Sequence, residues 1–293
     1  MNEYISTGVI LGMVLEVIIT AGIPILLLAI WYSKTKTTLL PALGGAAVFF
    51  VFAKILESIL HYVCLITESP VSRAITGSAW TYALYAGLAA GIFEETGRLV
   101  CFKIMKKHRD RKTAITYGIG HGGFESISLV SMSMIIYLTI AISMNLSGGV
   151  SAYMAKLSEE QAASMGQVVA AISSISGAGI FWGSFERLVA ICLQIAMSVF
   201  VFASVAGGRG RRWMFPAAIL IHAAADITPA MYQYGKITSI AAVEFSTAGY
   251  TAVICVIAFM IYKSLNAPEL GKENSADPVL NAEKTLDDTE DCL

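Results

Sequence analysis

Charge is what this sequence has least of: Asp, Glu, Lys and Arg make up 14% of its 293 residues, where an ordinary globular chain carries roughly a quarter. With 56% hydrophobic residues and a mean hydropathy of +0.68, the composition excludes a typical soluble domain. There is no basic excess either. The net charge of −1 excludes nucleic acid as a partner, because phosphate binding needs a strong positive surplus. The five cysteines (Cys64, Cys101, Cys192, Cys255, Cys292) form no C-x-x-C pair, and four lie in or beside apolar stretches, where a thiol acts as a small hydrophobe. The start, Met1-Asn2-Glu3-Tyr4, lacks a positive n-region, and no small-residue cleavage site follows the apolar run behind it. That run is expected to be retained as a helix. No internal repeat is evident.

What the sequence does have is long hydrophobic runs. A bilayer core needs about 20 mainly apolar residues per helix, and stretches at roughly 7–31, 40–66, 79–101, 113–144, 182–206, 213–233 and 241–262 meet this. An all-α, polytopic membrane bundle of about seven transmembrane helices follows. Lys34, Lys36, the cluster from Lys103 to Lys112, and Arg209, Arg211 and Arg212 fall on one side of such a bundle. Only Arg73, Lys156 and Lys236 fall on the other. The basic side is expected to be cytoplasmic, which puts the N-terminus outside and the C-terminus inside. Residues 1–266 form a single transmembrane domain on this expectation. Within it, 145–181 is an outer loop with a short interfacial helix near 159–173, opened by the capping-box spacing Ser158-Glu159-Glu160-Gln161. The acidic tail 267–293 is expected to be disordered.

Ionisable groups inside a bilayer are costly and normally face the bundle interior. Three spans carry them four residues apart: Glu94 and Arg98, with Glu95 between them; His121 and Glu125; His222 and Asp226. Each pair therefore shares one helix face. At about 1.5 Å per residue, Glu94, His121 and His222 lie roughly 10, 12 and 13 Å from the cytoplasmic ends of their helices. One carboxylate and two imidazoles thus reach one level, with Glu125 and Asp226 about a turn deeper as partners that orient the rings. Such a set suits water activation: a carboxylate base, one histidine holding water, another donating to an oxyanion. Gln194 comes level with Glu125 and Asp226, and Glu186 lies near the outer end of the same span. Glycines 118, 120, 122 and 123 thin the helix beside His121, so another backbone can approach. Glu95 and Arg98 also suit a purely structural ion pair, the histidines a helix-bridging hydrogen bond, and the glycines a plain packing face. A second set (Glu16, Lys54, Glu57, His61) is expected to form a structural salt bridge between the first two spans.

The ordered set Glu94-Glu95-x-x-Arg98, His121 and His222-x-x-x-Asp226 resembles the glutamate intramembrane proteases, which include the CAAX prenyl endopeptidases and bacteriocin-processing enzymes. The phrases Phe-Glu-Glu-Thr-Gly-Arg and Gly-Ile-Gly-His-Gly-Gly-Phe-Glu resemble the YhfC family of bacterial membrane peptidases more closely. The resemblance implies an intramembrane endopeptidase of the bacterial cytoplasmic membrane, surrounded by lipid and acting on a membrane-embedded or lipidated peptide. It implies that Glu94 activates water, His121 helps hold it, and His222 and Asp226 complete the oxyanion site. Arg98 would pair with Glu95. Gln194 stands where such proteins are expected to have histidine. Metal-free catalysis is the preferred expectation, since H-E-x-x-H is absent. Zinc held by Glu94, His121 and His222 is the alternative. A proton-coupled transporter and a non-cutting binding or immunity protein are the rival functions.

Overall fold

The computed structural model describes residues 4–108 and 110–265, and every regular element in them is helical. The expected acidic tail and Cys292 lie outside the described residues. Seven long helices carry the architecture: α1 (Thr7–Thr35), α2 (Leu40–Ile66), α3 (Ala79–Ile104), α4 (Lys112–Leu146), α5 (Gly177–Ala206), α6 (Arg209–Gln233) and α7 (Ile240–Ser264). Serine caps four of the entries. Ser6, Ser78, Ser176 and Ser239 each accept a bond from a backbone N–H in the first turn that follows, satisfying a donor that the helix cannot satisfy itself.

Six of these helices are long and apolar enough to cross a membrane. The exception is α3, which has the length, at 26 residues, but carries Glu94, Glu95 and Arg98 and so falls short in apolarity. Long apolar side chains such as Leu11, Leu15, Ile18, Val253 and Val256 point outward and are exposed. Contiguous apolar surface of this kind marks a membrane-facing exterior.

The column at the centre is α5. Of its most apolar stretch 72% is buried, against 17–33% for the other five, and it packs on α1, α3, α4, α6 and α7. Helix α2 closes against α3 and α4, and α6 lies along α3. The expected close approach at the α4 glycines is present: a Cβ on Gly120 would collide with the backbone of Ala42, and one on Gly118 would sit 2.6 Å from Cα of Ile195 in α5. Between α4 and α5, the helix Glu159–Ser174 opens with the capping box on Ser158 and Gln161. Its Val169 and Ile172 are buried in a cluster with Ile5, Met13, Ala141 and Met144.

Three helices depart from regular α winding. In α2 the turns widen to π geometry over Phe49–Glu57 and Tyr62–Ile66. In α4 they widen over Ile127–Ser131, just beyond Glu125. In α6 the chain breaks between Ala225 and Ile227, so that Asp226 sits at a joint. Wide turns of this type are rare and concentrate at functional sites.

Candidate active site

Helices α3, α4, α5 and α6 deliver the site residues to one buried centre. Its hub is Oε2 of Glu94. His121 Nε2 lies 2.9 Å from it and Gln194 Nε2 donates to it at 2.9 Å. Arg98 Nη2 is at 3.8 Å and His222 Nε2 at 4.0 Å. Among the described residues no hydrogen bond engages the other oxygen, Oε1. Beside the hub, Arg98 donates from Nη1 to both oxygens of Glu95 at 3.0 and 3.1 Å, and Glu95 Oε1 lies 2.6 Å from His222 Nδ1. An ionised carboxylate only accepts, so the ring donates from Nδ1 there. That leaves Nε2 of His222 facing the cavity. Glu95, Arg98 and His121 are fully buried.

Gln194 ties the halves together. Its Nε2 donates to Glu125 Oε2 at 2.7 Å as well as to Glu94, while its Oε1 accepts from Arg98. Glu125 also accepts from Arg187 Nη1 at 3.1 Å, and Arg187 in turn holds Glu186. His121 is fixed from behind by the Phe49 ring, edge-on at 5.3 Å between centroids, and by Tyr117, whose hydroxyl lies 3.5 Å from Nδ1. The centre opens into a cavity of about 530 Å³ lined from α2, α3, α4, α5, α6 and α7.

Glu94, Glu95, Arg98, His121, His222 and Gln194 are thus brought together, and Arg98 pairs with Glu95 as expected. Two expectations need correction. Glu125 does not orient His121; it turns along the cavity wall to Arg187 and Gln194. Asp226 does lie within ion-pair reach of His222 Nε2, at 3.7 Å, while Glu95 makes the shorter contact to that ring at Nδ1. In the second set, Glu57 pairs with His61 Nε2 at 3.2 Å, Glu16 is buried, and among the described residues no carboxylate reaches Lys54. The π winding causes this: each residue of a wide turn rotates less about the axis, so positions three apart no longer share a face.

Two participants were hard to foresee from the sequence. Arg187 follows Glu186 in the sequence, but its partner Glu125 lies in another helix, so no spacing pointed to it. Tyr117 is one turn from His121, on the same helix face, and that spacing is its signal in the sequence.

Among the described residues, ligand atoms of Glu94, His121 and Glu125 lie within 4.8 Å of one another and could hold a cation. This set has Glu125 where the zinc trio expected as the alternative has His222. Two carboxylates and an imidazole are donors of the type zinc takes, with a position left for water, so the residues present fit a metal ion.

A family model described as YhfC intramembrane metalloprotease matches residues 19–247. The chain is 33% identical over 231 residues to the "Uncharacterized membrane protein YhfC" of Bacillus subtilis (strain 168), covering 75% of this chain and 84% of that protein. No solved structure matches the chain.

Proposed function

The chain belongs to the YhfC intramembrane metalloprotease family, and from that premise we propose that it is a membrane-embedded endopeptidase cutting at the Glu94 end of the cavity. The observation that carries this is the contact of Glu94 Oε2 with His121 Nε2 at 2.9 Å, with His222 Nε2 4.0 Å away on the same oxygen. A carboxylate between two imidazoles, beside a cavity and shielded from bulk solvent, is equipped for proton transfer to and from a bound water and an amide. The substrate is a membrane-embedded or lipidated peptide. The bundle sits in a bacterial cytoplasmic membrane with α3 as its seventh span, the N-terminus outside and the cleavage level toward the cytoplasmic side.

Each side chain then has a task. His121 and Gln194 hold Oε2 of Glu94 and so aim Oε1 at the cavity, where it takes the proton of water as the oxygen attacks the scissile carbonyl. His222, fixed through Nδ1 by Glu95, presents Nε2 to the reacting group, and in its imidazolium form it donates a hydrogen bond to the oxyanion. Arg98 fixes Glu95 and, through Gln194, the spacing of Glu94 from Glu125. In the metal-dependent form Glu94, His121 and Glu125 would instead hold a zinc-type cation, with Glu94 a ligand rather than the base. When bound, such an ion polarises the carbonyl and lowers the cost of ionising water. The family's description and this donor set weigh toward the metal-dependent form over the metal-free one expected from sequence.

Purified protein in proteoliposomes is expected to cut a membrane-inserted peptide, and Glu94→Gln is expected to lower kcat by about 10²-fold or more with the variant still folded. Full activity in that variant, read as cut fragments by mass spectrometry, would remove the proposal.

A further inference from the structure

We infer that the end of the cavity distal to Glu94 is a subsite for a cationic group of the substrate: a Lys or Arg side chain three or four residues from the scissile bond. The inference rests on the peptidase function proposed above and adds its substrate class. Six carboxylates line the cavity (Glu57, Glu94, Glu125, Glu186, Asp226 and Glu244) against one permanent cation, Arg187. That cation is already divided between Glu125 and Glu186. Glu57 has the ring of His61. Glu244 is 4% exposed and lines the cavity, and its Oε2 makes no hydrogen bond among the described residues; the charge of Arg187 reaches it only from a distance.

A buried carboxylate without a partner is costly, and the cavity beside it is where a partner would enter. Its position is firmly built. The neighbouring Phe245 packs edge-on against Trp182 and Phe185, at 5.6 and 6.3 Å between centroids, so the second and third turns of α5 are held to the second turn of α7, which carries Glu244. On α5, Glu186 and Gln194 both line the cavity eight residues apart, about 12 Å along the helix. An extended peptide advances about 3.3 Å per residue. A chain lying with its scissile carbonyl at Glu94 therefore brings its third or fourth neighbour to the acidic end.

The test uses the full-length protein in proteoliposomes with a library of membrane-inserted peptides, cut sites being read by mass spectrometry. Lys and Arg are expected to be enriched at the third or fourth residue from the cut. For paired peptides differing only by Lys against norleucine at that place, kcat/KM is expected to be about tenfold higher for Lys. Glu244→Gln should bring that ratio close to one, and Glu244→Asp, which keeps the charge, should preserve most of it. The comparison between peptides on unmodified protein needs no variant to fold. Cutting that requires Glu94 but treats Lys and norleucine alike, or a Lys preference that survives Glu244→Gln, overturns the inference and leaves the peptidase standing. Absence of any Glu94-dependent cutting overturns both.

Discussion

Arg98 is buried without solvent contact and bonded to Glu95 and Gln194. Such a pair adds little by existing, because both ions were taken out of water, but breaking it from one side strands a charge. Arg98→Met is therefore expected to cost about 3–5 kcal/mol of stability, seen as a lowered thermal midpoint in detergent. Arg98→Met with Glu95→Gln should recover part of that loss. A second residue-scale expectation concerns Glu125. If the donor trio holds a metal, purified wild-type protein carries about one zinc-type ion per chain by elemental analysis, and Glu125→Gln or His121→Ala loses it, by analogy with other sites of three protein ligands. Wild-type protein that cuts peptide after complete chelation would return the mechanism to Glu94 alone.

At the scale of elements, contact between α2 and α4 depends on Gly120 meeting the backbone of Ala42. Gly120→Val is expected to push α2 away and cost about 1–3 kcal/mol, with activity falling as His121 moves off Phe49. Gly166, in the helix Glu159–Ser174, has open space where a Cβ would go, so Gly166→Ala should instead stabilise by about 0.5–1 kcal/mol. Thermal melts of the two variants side by side check both signs. Helix lengths, their level-matched polar residues and the glycine face were legible in the sequence, because each rests on the regular 3.6-residue period. The turns of α2 and the joint at Asp226 were not. They break that period, and in α2 the wide turns leave Lys54 without a carboxylate partner among the described residues. Glu244 was silent for another reason: a lone acid in an apolar run, with no charge one turn away, gives no pattern to read.

At the scale of the whole molecule, the orientation proposed for the bundle is open to direct measurement. In a cysteine-free background, Lys156→Cys is expected to react with a membrane-impermeant maleimide added to intact cells, and Lys107→Cys only after lysis, following the basic bias of the opposite loops. The reverse pattern would invert the topology and move the cleavage level to the outside. The polarity of α3 also has a consequence for how the chain is made. Its carboxylates and guanidinium would be poorly tolerated by lipid alone, yet their partners sit on His121, Gln194 and His222, which the ribosome has not yet produced when α3 emerges. On the proposed topology the nascent helix would wait, half-inserted or sheltered, until its later companions arrive, so the Glu94 centre would close only once α6 has been made.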